Sequence, residues 1–124
     1  MYQDNVVLCA ASAYKKKYYF NEDFSNLPDN VKDELRAMCT LFTLDVGGVL
    51  ELIFDEKGNL YFQTEAEEYD VSYDEIGSGL KIKELQSDKK DLLEALETYY
   101  KVFFLGEDLD AGEEGSDPEE KDED

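Results

Sequence analysis

Six carboxylates crowd one short stretch of this chain: Glu65, Glu67, Glu68, Asp70, Asp74 and Glu75. A pair of carboxylates can pass protons to and from a substrate, and a cluster can hold a hard cation through oxygen. Neither role has its spacing signature here. Such chemistry needs carboxylates fixed in a pocket, and a run of acids between structured segments is ordinarily a solvated loop. The opposite charge is concentrated in AYKKKYYF, residues 13 to 20. Lys15, Lys16 and Lys17, with Tyr14, Tyr18 and Tyr19 as stacking partners, could take a phosphate or an acidic peptide. No arginine stands near them in the sequence, and nucleic-acid binding needs a larger basic patch. A turn with solvated lysines is the simpler reading. Lysines at a strand end also discourage edge-to-edge pairing. The candidate binding surface is therefore Lys15, Lys16, Lys17 and Tyr18 together with Glu65, Glu67, Glu68, Asp70 and Asp74.

Catalytic options are few. The chain has no histidine, which removes the imidazole base, the Ser-His-Asp and Cys-His arrangements and the histidine metal ligands. DLDAGEEGSDPEE looks at first like a calcium loop, but Glu113 occupies the sixth position, where that loop needs glycine. We expect no catalytic residue, no cofactor and no metal site, and hence no enzyme.

The 124 residues suffice for one ordinary domain, and 42% are hydrophobic, enough for a core. The net charge is −20. Eleven acids and one lysine lie between Glu107 and Asp124, so half of that charge is in the last 18 residues. An acidic body repels nucleic acid and anionic membranes and favours basic partners. The opening MYQDNVVLCAASAY has no basic segment ahead of a long apolar run, which predicts neither a signal peptide nor a membrane span. A cytoplasmic location follows, with Cys9 and Cys39 as free buried thiols; their spacing alone also permits a bridge.

The elements that position these groups follow from periodicity. NVVLCAASAY and KKYYFNEDF read as two extended segments, with Tyr18 and Phe20 on one face and Tyr19 on the other. The lysines fall at the turn between them, and Asp23 to Leu27 reads as loop. Pro28 suits a helix start. Val31, Leu35, Met38, Phe42 and Val46 then form one helical stripe, bordered by Cys39 and ended by Gly47-Gly48. VLELIFDEKGNLYFQTEA reads as a hairpin: Leu50, Leu52 and Phe54 face Leu60 and Phe62, and Gly58 is suited to the left-handed turn position. An acidic connector ending at Gly77 and Gly79 leads to one long helix from Leu80 to Phe104. Its stripe is Ile82, Leu85, Leu92, Leu96, Tyr99 and Phe103, interrupted by Lys89. The expected class is α+β: an antiparallel sheet built from hairpins with two helices packed on one face. Residues 1–106 form that single domain, and residues 107–124 form a disordered acidic tail.

Several stretches carry a resemblance: VVLCAASAY, KYYFNEDFSNLP, DVGG, YDEIGSGLKIKELQ and YYKVFFLGE. Together they resemble a group of short uncharacterised proteins from anaerobic Gram-positive bacteria, classed as a domain of unknown function. The likeness spans about residues 6 to 107. It implies a bacterial, cytoplasmic setting and brings no activity or site residue.

The expected function is a non-enzymatic interaction domain (inhibitor-, immunity- or adaptor-like) whose acidic surface holds a basic protein. The alternatives are a homodimer joined through the last helix, and a small-molecule binder with a pocket between sheet and helices.

Overall fold

The computed structural model describes residues 5–107. Four strands, β1 (Val6–Ser12), β2 (Lys17–Phe20), β3 (Val49–Phe54) and β4 (Leu60–Glu65), form one sheet in the order β2-β1-β3-β4. Every pairing is antiparallel. The helices are α1 (Asp29–Val46), α2 (Glu75–Asp88) and α3 (Lys90–Phe103). The α+β class and the hairpin-built sheet are those the sequence predicts. The expected acidic tail and its calcium-like loop lie outside the described residues, apart from Glu107.

Alternation in β3 sets the core. Leu50, Leu52 and Phe54 point to one face and are fully buried under the helices, as the two-residue period of a strand requires. Leu8, Leu35, Met38, Phe42 and Leu96 join them from β1, α1 and α3. Each such side chain contributes roughly 1.5–3 kcal/mol on burial. Ile53, on the opposite face, is buried as well, between its register partners Val7 and Tyr61.

The β1–β3 register slips at Leu8, between Val7 and Cys9. A bulge leaves backbone groups unpaired in the ladder. Asn21 supplies the partners: its backbone N–H donates to the Leu8 carbonyl at 3.0 Å and its side-chain amide to the Val7 carbonyl at 2.8 Å.

Four expectations change. Asp23 to Leu27 is more than a loop. Its first part is a 3-10 turn, Glu22–Phe24, capped by Asn21, and it buries both Phe24 and Leu27. Phe24 stacks on Phe54 at 5.6 Å and on Phe104 at 4.7 Å between ring centroids, while Phe54 and Tyr100 stack at 4.2 Å. The single long helix is in fact two. Lys89 leaves helical geometry at φ −108°, ψ 21°, and its ammonium reaches the Glu34 carboxylate of α1 at 2.8 Å. The residue that breaks the apolar stripe is therefore where the helix bends to meet α1. α2 also begins earlier than the glycines suggest, because the Asp74 carboxylate accepts the Gly77 N–H at 2.9 Å as an N-cap. Most of the stripe turns inward: Leu96 is buried, Ile82, Leu85, Leu92 and Tyr99 pack on the core, and Tyr100 beside them is buried too. Phe103, the last residue expected on it, stays exposed against the Tyr99 ring.

Candidate functional site

The predicted site residues gather at one end of the sheet, where the β1–β2 turn, the end of α1 and the β4–α2 connector meet. Ala13 begins that turn, its N–H bonded to the Gly48 carbonyl at 2.8 Å. Lys15 and Lys16 lie in the turn and Lys17 opens β2. Gly48, at φ +71°, lets β3 start directly beneath the connector: a β-carbon there would stand 2.6 Å from the Glu65 carbonyl oxygen and 2.7 Å from the Tyr73 ring. Only glycine fits both the left-handed backbone and the close approach.

The connector is exposed but fastened. The Tyr14 hydroxyl donates to the Asp70 carboxylate at 2.5 Å and accepts the Glu67 N–H at 2.9 Å. Asp70 also accepts from the Ser72 backbone and hydroxyl, at 3.0 and 2.7 Å. The Tyr73 hydroxyl donates to the buried Ser78 hydroxyl at 2.9 Å. Asp74 closes the set as the α2 cap. Asp70 and Asp74 are thus committed to structure. The hydrogen bond from Tyr14, followed by those from Ser72, holds the Asp70 carboxyl below the usual aspartate range. The bonds to Asp70 and from Glu67 fix the Tyr14 hydroxyl against the connector.

Fastening leaves the glutamates gathered. Glu65, Glu67, Glu68 and Glu75, with Ser78, line a cleft of about 460 Å³. An adjoining cleft of about 660 Å³ is lined by Lys15, Tyr14, Glu65 and Glu67. None of these four glutamates has a lysine or arginine within 4.0 Å among the described residues. No group of three or more potential ligands among those residues is placed to hold a metal ion.

Across the turn the charge reverses. Folding brings Arg36 from α1, the chain's one arginine, to the lysine run. Lys16, Lys17, Tyr18 and Arg36 line a third cleft, of about 460 Å³, between sheet and helix. The guanidinium lies over the Tyr18 ring, 5.7 Å from its centroid, a cation–π distance. Sequence distance hid this neighbour. Position 36 is about 20 residues from the lysine run, on an element whose stripe faces the core, and no spacing rule connects the two. The Tyr18 hydroxyl is buried with no hydrogen-bond partner among the described residues. Burial, with Cys9 adding to it, pushes its pKa up.

Among known protein families, the model of a family of unknown function (DUF6145) matches residues 5–108. The chain belongs to that family. The match takes in every described element, so the family is defined by this whole sheet-and-helix unit rather than by one motif. No curated protein and no solved structure matches the chain. No helix among the described residues is long and apolar enough to cross a membrane.

Proposed function

We propose that this family member is a non-enzymatic interaction domain that holds a basic protein partner in its acidic cleft. The observation that carries the reading is the fastened connector. Four glutamates without a counter-ion among the described residues are kept around one concavity by hydrogen bonds that leave their carboxylates unused. Carboxylates held close together repel one another, and an arriving lysine or arginine relieves that repulsion. Complementary charge of this kind raises the rate of encounter and weakens with salt. A cytoplasmic setting suits the two free thiols.

The test is a pull-down from the native host at low and high salt. The full chain is run beside a variant in which Glu65, Glu67, Glu68 and Glu75 are all glutamine. The expected result is one basic protein in stoichiometric amount, lost at high salt and lost with the variant. Equal recovery by both chains overturns the reading, since the acidic residues 107–124 are common to both.

A further inference from the structure

The basic cleft plays no part in holding a basic partner. It lies on the other side of the β1–β2 turn, and its function can fail or hold independently. Lys32, Lys81, Lys89 and Lys90 each have a carboxylate within 4.0 Å. Lys16, Lys17 and Arg36, the three cations that line this cleft, have none among the described residues, and neither do Lys15, Lys57, Lys83 and Lys101, which stand elsewhere; the cleft differs in gathering three of them. Three cations that repel one another line one cleft with no carboxylate beside them among the described residues. The backbone adds a second observation. Lys16 is the one non-glycine with positive φ among the described residues, at +53°. Glycine or asparagine would take that conformation at lower cost, and such local strain concentrates where a side chain serves binding. The third observation is apolar. Leu44 lines the same cleft and is 81% exposed, beside the Tyr18 ring and the methyl-bearing Thr40.

We propose that this cleft binds a small organic anion, a carboxylate or phosphate monoester bearing one apolar group of about the size of a benzene ring. The anionic end meets Lys16, Lys17 and Arg36, and the apolar end covers Leu44. A cavity of about 460 Å³ falls within the usual range for small-molecule sites. A polyanion such as nucleic acid is disfavoured, because its length meets the −20 field of the whole chain. A small anion feels mainly the charges within a Debye length of it, about 8 Å at physiological salt.

The test is an NMR titration of the ¹⁵N-labelled full chain with phenyl phosphate, benzoate, inorganic phosphate and benzyl alcohol, each separately. Phenyl phosphate or benzoate should shift amides in residues 12–18 and 36–44 saturably, and the stronger of the two identifies the anionic group. Inorganic phosphate and benzyl alcohol should each bind more weakly. Arg36→Gln and Lys17→Gln should each weaken the organic anion about tenfold, the worth of one charged hydrogen bond, with a dispersed spectrum retained. The proposal is overturned if neither organic anion gives saturable shifts there. It is equally overturned if inorganic phosphate or benzyl alcohol matches the organic anions, or if both folded variants bind as the native chain does.

Discussion

The Tyr14 hydroxyl and the Asp70 carboxylate meet at 2.5 Å across 56 positions of sequence. The contact ties the β1–β2 turn to the β4–α2 connector, and with it the basic side of the molecule to the acidic side. One phenol serves two groups, because it also accepts the Glu67 N–H. The same bond pushes the Tyr14 pKa up and the Asp70 pKa down. Each shift reports that the bond favours neutral phenol beside ionised carboxylate.

The sign of the Asp70 shift fixes a pH dependence. A carboxyl whose folded pKa is depressed contributes its full stabilisation above the ordinary aspartate value, and loses it as pH falls through the lowered value. The connector should therefore loosen on acidification below about pH 4. Amide protection in residues 66–74, measured relative to the intrinsic exchange rate at each pH, should fall there in the native chain. In Tyr14→Phe it should already be reduced at neutral pH and should change less on acidification. Equal exchange in the two chains at neutral pH would show that the tether contributes nothing.

Phe24 is the side chain on which the aromatic cluster depends. It is fully buried and touches the rings of Phe54, Tyr99, Tyr100 and Phe104. Phe24→Ala should cost about 3–5 kcal/mol, by lost transfer energy and the cavity left behind. Urea denaturation would read this directly. A loss below about 1 kcal/mol would mean that the end of α3 does not pack on this turn as described.

Much of this fold was legible because its signals are local. The alternation of Leu50, Leu52 and Phe54, the Gly58 turn (φ +89°) and the α1 stripe each repeat within a few residues, as secondary structure does. Phe24 lacked such a signal: one apolar residue beside acids carries no period, and rings distant in sequence, Phe54 on β3 and those at the end of α3, explain its burial. The α2 start was missed because Gly77 and Gly79 read as the end of the connector, whereas the Asp74 cap lets the helix begin ahead of them. In the site, the acidic cluster and the lysine run were visible as composition. Their arrangement was not, because Tyr14–Asp70 and Tyr18–Arg36 are long-range pairings.

Two glycines should respond in opposite directions to alanine. Gly48 holds a left-handed backbone and faces the Glu65 carbonyl and Tyr73. Gly48→Ala should destabilise by roughly 1–3 kcal/mol and should displace the connector. Gly79 lies within α2, with open space where a β-carbon would stand. Gly79→Ala should stabilise by up to about 1 kcal/mol through helix propensity. Thermal melts of the two variants beside the native chain would separate these outcomes. A neutral Gly48→Ala would show that the strand and connector can part without cost.

The last prediction concerns Cys9 and Cys39, whose sulfurs lie 3.7 Å apart in the core, one on β1 and one on α1. The hydrogen bond with Cys9, then burial, raises the Cys39 pKa above the ordinary thiol value. A raised folded pKa contributes stability that is complete below the unfolded value and declines as pH rises past it. Stability should therefore fall above about pH 8.5, and Cys39→Ala should flatten that slope even though it lowers stability at every pH. Because the thiolate is the reactive form, iodoacetamide at about pH 8 should leave both cysteines of the native chain unmodified and label both in urea. Mass spectrometry counts the adducts. Rapid labelling of the native chain would show that the β1–α1 interface opens far more readily than its packing implies.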